Sequence, residues 1–170
     1  DEADLDITGT EAYVANPGLT LGGWFYKRAH NTTGLADGLM AKFVKSGDQR
    51  SYRLYTSESH IFYMYVSPDG TSENSINVSG AGGIGVWDYV VGRFTPSTEL
   101  ALFKNHTKTT NTTSIPASIF NGSASLEIGS YSAGTNRMNG RASLCFLCAS
   151  ALSDDIINAL FQRTRPLFGV

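Results

Sequence analysis

The only two cysteines of the chain, Cys145 and Cys148, form the sequence C-F-L-C, a spacing that both redox thiols and zinc sites use. A redox pair needs its first thiol at a helix N-terminus, where the dipole lowers its pKa, and zinc needs two further ligands. The surrounding residues instead alternate as in a strand, with Ala142, Leu144, Phe146 and Cys148 on one face and Ser143, Cys145, Leu147 and Ala149 on the other. Residues three apart in a strand point to opposite faces, so the two thiols are poorly placed to bridge. They are expected to be free and buried, which argues against a disulfide-stabilised secreted domain.

Other chemistry-bearing patterns also have plain structural explanations. Gly80, Gly82 and Gly85 match G-x-G-x-x-G, but a dinucleotide site needs that turn to open a helix, and the β-branched and aromatic run VWDYVVGRF follows. Asp4 with Asp6 and Asp154 with Asp155 are the nearest carboxylate pairs. The first lies on a peripheral segment and the second at the start of the one expected helix, so neither flanks a cleft as glycoside hydrolysis requires. No G-x-S-x-G occurs, and His30, His60 and His106 lack metal-ligand spacing. Catalysis is not expected, and neither is a metal or other cofactor.

Aromatic and amide residues are the better candidates. Trp24 and Trp87 sit in strongly apolar strands and are expected in the core. Tyr63, Tyr65 and Tyr131 suit an exposed platform, because an aromatic face matches the apolar C–H surface of a sugar ring. Asn136, Arg137 and Asn139, in the loop GTNRMNGR, suit hydrogen bonding to hydroxyl groups. These six form the predicted ligand-binding set.

At 170 residues the chain fits one domain, which at this size buries about 70% of its unfolded surface. It is 41% hydrophobic and 16% charged with 18 glycines, against a common charged fraction of about 25%, a β-rich and turn-rich profile. A net charge of -2, with no basic run longer than Lys27-Arg28, excludes the electrostatic footprint of nucleic-acid binding. The longest nearly apolar run, 142–152, is too short to span a bilayer, so no membrane insertion is expected. The opening DEADLDITG has neither Met nor a leader-like pattern, as expected of a processed product or a part of something longer. Sequons at Asn31, Asn77, Asn105, Asn111 and Asn121 exceed chance only mildly.

Strand-like segments recur at Ala12 to Ala15, Leu19 to Arg28, Gly38 to Val44, Tyr52 to Thr56, His60 to Val66 and Ser75 to Ser79. They continue at Trp87 to Phe94, Glu99 to Lys104, Ser125 to Ser130 and Arg137 to Ala149, with turn residues between them. TKTTNTTS, residues 107–114, is expected as an exposed loop or twisted hairpin. The one helix is predicted over Ser153 to Phe161, with Ser153 as N-cap and Asp154 and Asp155 complementing the dipole. The economical architecture is an all-β, two-sheet antiparallel jelly-roll sandwich with one short C-terminal helix.

In this order the segments resemble a laminin-G-like domain of the concanavalin A-like lectin/glucanase superfamily. DITGTEAYV resembles the opening strand, LTLGGWFYKR the tryptophan-bearing second strand, and GLMAKF with SYRLYTS the next pair. IFYMYVSPDG, WDYVVGRF and LALFKN look like central strands, SLEIGSY like the L-x-I-G motif, and MNGRASLCFLCASALSDDIINALF like the closing strand and helix. Many relatives keep an acid near a calcium site in the closing strand. Here that position is Ser143, which argues against calcium, although Asp37, Asp69 and Asp88 remain as potential ligands of a different site.

The resemblance covers residues 1–170 as a single domain and is strongest with microbial or bacteriophage virion members. It implies a noncatalytic lectin-like module displayed on a virion or cell surface, binding glycans. The alternative it implies is a capsid-decoration or virion assembly protein working through protein contacts, with a homo-oligomer possible through the C-terminal PLFGV.

Overall fold

Alternating apolar residues need two faces to bury, and the described residues supply them as ten strands in two sheets. A computed structural model describes residues 18–29, 36–57, 59–71, 74–78, 82–132 and 134–170, with 74–78 described by its backbone. The strands are β1 (Leu19–Lys27), β2 (Asp37–Val44), β3 (Gln49–Thr56), β4 (Phe62–Val66), β5 (Asn74–Val78), β6 (Trp87–Thr95), β7 (Glu99–Lys104), β8 (Thr107–Asn111), β9 (Leu126–Ile128) and β10 (Gly140–Cys148). One sheet runs β10-β1-β6-β7-β8 and the other β5-β4-β3-β2-β9, and every strand pair within them is antiparallel. This is the expected jelly-roll sandwich. The predicted strand at Ala12 to Ala15 lies outside the described residues.

The space between the sheets is filled from both sides. Leu19, Leu21 and Phe25 of β1, with Phe94, Leu100 and Leu102, meet Met40, Tyr52, Leu54, Phe62, Met64 and Val66. Ala101 and Phe103 point away, as the period-two pattern requires. The TKTTNTTS segment provides β8, the second arm of a hairpin with β7. The hairpin turn uses Asn105 at φ +53°, whose side chain accepts the Tyr89 N–H at 2.9 Å. Asn121 likewise accepts from the Lys42 ammonium at 3.0 Å. These two sequon asparagines therefore have structural partners of their own.

The strict alternation expected through C-F-L-C breaks at one residue. Gly22 pairs with Phe146 and Trp24 with Ser143, so Leu144 and Cys145 together oppose Gly23. Leu144 adopts φ +48°, the extra residue of a β-bulge. The bulge moves Ala142 to the face of Leu147 and Ser143 to that of Phe146. Cys145 packs toward the sandwich core, while Cys148 pairs with Thr20 on the other face, and both thiols are free. Burial pushes the Cys145 thiol up to about 11.

Helix α1 (Asp154–Thr164) covers the outer face of the first sheet and is followed by a 3-10 turn, Arg165–Phe168. Ser153 caps it, its hydroxyl accepting the Ile156 N–H at 3.3 Å. Ile157 and Phe161 pack on Trp24, Tyr89, Val91 and Phe103 in a second apolar cluster. Trp24, 0% exposed, stacks on Phe168 at 4.3 Å and donates its indole N–H to the Thr164 hydroxyl at 2.9 Å. Buried Arg93 ties the helix start to the sheet, bonding the Leu152 carbonyl at 2.7 Å and the Asp154 carboxylate at 2.6 Å, and it also pairs with Glu99. Among the described residues no helix is long and apolar enough to cross a membrane. Truncating the ring that fastens the helix should be costly. Phe161→Ala is expected to lose about 3 to 5 kcal/mol, read as a lower denaturation midpoint, and an unchanged midpoint would contradict this docking.

Candidate functional site

With the helix on one outer face, the outer face of the other sheet carries the remaining concentration of aromatic and polar side chains. Its floor is laid by β2, β3 and β4. Tyr52 and Leu54 of β3 point into the core, so Arg53 and Tyr55 must point out. Register then fixes the neighbours, for Arg53 lies opposite Ala41 on one side and Tyr65 on the other, and Tyr55 lies opposite Gly38 and Tyr63. Directly opposed side chains share a face, and the Tyr55 and Tyr63 rings stack at 5.0 Å with 14° between their planes.

The connection between β9 and β10 folds over one side of this floor. Gly129 donates its N–H to the Leu39 carbonyl at 2.8 Å, Ser132 to Phe43 at 3.0 Å, and Gly38 donates to Asn136 at 3.0 Å. The Glu127 carboxylate gathers the connection by accepting from the Ser130 hydroxyl at 2.7 Å and the Gly134 N–H at 2.9 Å. A side chain at position 38 has no room, because a Cβ there would lie 2.4 Å from the Ser130 carbonyl carbon. The result brings Tyr131 down onto Phe43 in an edge contact at 5.7 Å.

These rings surround a guanidinium. Arg53 Cζ lies 4.1 Å from the Tyr55 ring centre, 4.4 Å from Phe43, 4.8 Å from Tyr65 and 4.9 Å from Tyr131, all within cation–π range. Burial pushes the Tyr131 phenol above its ordinary pKa, opposed by the charge and hydrogen bond of Arg53 and reinforced by Asp37. Between the two sheets, buried Lys27 of β1 bonds Thr56 at 2.8 Å and pairs with Asp37 at 3.4 Å. Burial nevertheless lowers the Lys27 pKa against the pull of Asp37 and Asp88.

Among the described residues, Asp37 Oδ1, Arg50 Nε and Arg93 Nε are buried without a hydrogen-bond partner, and so are three atoms of the residues just described, Arg53 Nε, Tyr65 Oη and Asn136 Oδ1. Such groups are rare because each costs about 1 to 3 kcal/mol unless a partner or water reaches it. The grouping of the last three around a stacked tyrosine pair is the chemistry of a recognition surface: flat apolar faces, two donors and an acceptor.

The sequence-predicted set divides accordingly. Tyr63 is half-buried, as a platform residue should be, but Tyr65 and Tyr131 are only 2% and 7% exposed. Their rings do not form the exposed platform expected of them, because Arg53 draws them together and the β9–β10 connection covers them. Asn136, at 7%, is also inside, with its amide nitrogen donating to the Thr135 hydroxyl at 3.0 Å. Arg137 and Asn139 are exposed at the rim. Arg137 turns back to the Gly134 carbonyl at 2.6 Å, and the Asn139 carbonyl accepts the Arg28 N–H at 2.8 Å. Arg53, Tyr55 and Phe43 were missed, although the alternation of SYRLYTS already sets Arg53 and Tyr55 on one face.

A different concavity, about 400 Å³, lies between β10 and α1, lined by Trp24, Leu144, Phe146, Cys148 and Leu160 among others. Its lining is chiefly apolar, and the Thr164 hydroxyl at its wall is engaged by Trp24 and by the Leu160 carbonyl at 2.6 Å. Among the described residues no three His, Cys, Asp or Glu side chains are grouped to hold a metal. The contact at Gly38 is testable on its own. Gly38→Ala should cost about 1 to 3 kcal/mol of stability, read as a lower urea midpoint, and weaken the Tyr131–Phe43 proton contacts in NMR spectra, whereas intact contacts would exclude this packing.

No protein-family model matches the chain, and no curated protein sequence matches it. Solved structures do. One is the CBM40 of the Ruminococcus gnavus IT-sialidase bound to alpha2,3 sialyllactose, at 17% identity and TM-score 0.65 over 86% of this chain and 84% of that one. Another is the binding domain of botulinum neurotoxin DC, solved in complex with SialylT and with rat synaptotagmin II, at 14% identity and TM-score 0.61 in each case over 86% of this chain. The chain spans 36% of those toxin domains. At such identities the likeness is one of fold, and the fold it shows is the jelly roll.

Proposed function

We propose that the protein is a noncatalytic, lectin-like module that binds glycans on the outer face of its second sheet. The observation that carries this reading is the stacked Tyr55–Tyr63 pair beside Arg53 Nε, Tyr65 Oη and Asn136 Oδ1, buried atoms with unmet hydrogen-bonding capacity. A sugar ring offers the complement, an apolar C–H face edged by hydroxyl groups. Structural neighbours solved with sialyllactose and SialylT support the reading by analogy of fold. Residues 1–170 are read as one laminin-G-like domain of the microbial or bacteriophage kind, displayed on a virion or cell surface.

The second reading is a decoration or assembly protein working through protein contacts. It is favoured by exposed apolar residues, with Leu144 51%, Ile156 48%, Leu167 74% and Val170 47% exposed, and by the toxin neighbour solved with a protein partner. Phe168 of PLFGV is already committed to Trp24 and Trp87, so any such contact uses Leu167 and Val170.

A glycan array separates the two. Binding to defined glycans, weakened roughly fivefold by Tyr63→Ala through the loss of about 1 kcal/mol of stacking, supports the first reading. A blank array together with a stable oligomer by native mass measurement supports the second.

A further inference from the structure

We propose that the ligand of this face is an acidic sugar whose carboxylate is read by Arg53. The inference rests on the glycan-binding reading and adds the chemical class of the glycan. Its basis is the way this fold treats most of its other shielded cations. Arg93 has the Asp154 carboxylate at 2.6 Å, Lys27 has Asp37 at 3.4 Å, Lys104 has Asp88 at 3.6 Å and Arg50 has Asp48 at 3.7 Å, while buried Lys42 is met by the Asn121 amide oxygen at 3.0 Å. Arg53, among the described residues, has no carboxylate partner. Its neighbours are four aromatic rings and the Tyr131 hydroxyl, and its Nε is buried without a partner.

A guanidinium stays charged at any pH at which the protein is folded, so the unmatched charge is permanent. Rings close around it and its Nε is buried, so a ligand meets it through the terminal N–H donors in the guanidinium plane. A planar carboxylate fits that approach through parallel hydrogen bonds, better than a tetrahedral sulfate does. Tyr65 Oη adds a neighbouring donor without a partner, and Asn136 Oδ1 adds an acceptor suited to a hydroxyl or amide N–H. Tyr55 and Tyr63 supply the stacking surface for the ring that carries the acid. A nonulosonic acid and a hexuronic acid present the same group, and the test distinguishes them.

The test titrates the 170-residue chain by calorimetry with 3'-sialyllactose against lactose, with a hyaluronan hexasaccharide against its carboxyl-reduced form, and with 3'-sulfolactose. At least one carboxylated probe is expected to bind tenfold or more tightly than its neutral counterpart and more tightly than the sulfated one, and to weaken as salt is raised. The better of the two carboxylated probes identifies the source of the acid. Arg53→Met should remove the preference for acid. Tyr65→Phe, which deletes one hydroxyl and leaves the ring, should weaken the acidic probe severalfold without changing the melting temperature, and it carries the test if the arginine variant fails to fold. Equal affinity for acidic and neutral probes overturns this inference and leaves glycan binding standing, as does an acid preference that survives both substitutions. Sulfolactose binding as tightly as sialyllactose overturns the commitment to carboxylate. No binding by any sugar overturns both readings.

Discussion

The indole of Trp24 sits on the side of β1 that faces away from the sandwich, where an uncovered sheet would leave it in water. β1 lies between β10 and β6 and is apolar on both faces, so a second layer has to cover it. Helix α1 and the turn after it provide that layer, and the requirement reaches down to single groups. The Trp24 N–H finds Thr164, and Arg93 enters the interface only with carboxylates from both the sheet and the helix. A buried cation without them would cost several kcal/mol. The molecule is thus three layers deep, with a helix outside one sheet and no such layer outside the other.

On the thinner side the sheet resolves its exposure differently. Instead of adding a helix, it collects rings around one guanidinium under the β9–β10 connection, which conceals much of the aromatic surface while leaving polar atoms unmatched. The floor under those atoms is continuous antiparallel ladder from β2 through β4. Side chains anchored on such a ladder have little backbone freedom left to lose.

Most of the fold was legible because it is written in local signals. Alternation in LALF and FYMYV and the capped helix start each act over a few residues. The bulge at Leu144 was not, because it answers to the close approach of Gly23, where a Cβ would lie 2.9 Å from the Cys145 Cα. The site was legible by residue type and illegible by environment. Tyr65 and Tyr131 stand out as aromatic candidates, but nothing near either of them in the chain says that Arg53 lies between them. That follows from the pairing of β3 with β4 and from the path of a connection some eighty residues further on. Arg137 shows the converse, since its position in a polar loop gave no sign that its side chain would turn back to the loop's own backbone.

The β9–β10 connection joins a strand of three residues to the long closing strand, and it carries Tyr131 and Asn136 while β2 to β4 carry Phe43, Arg53, Tyr55, Tyr63 and Tyr65. The two halves of the site therefore belong to parts of the chain under different constraints. The half on the ladder is locked to the core through every second residue, and changing it disturbs the sandwich. The half on the connection is held mainly by backbone bonds to β2 and by Glu127, so its side chains are freer to vary than its path. Diversification of such a protein has an obvious route: a conserved anchoring half beneath an exchangeable one, in the manner of a lock whose wards are recut while the barrel is kept.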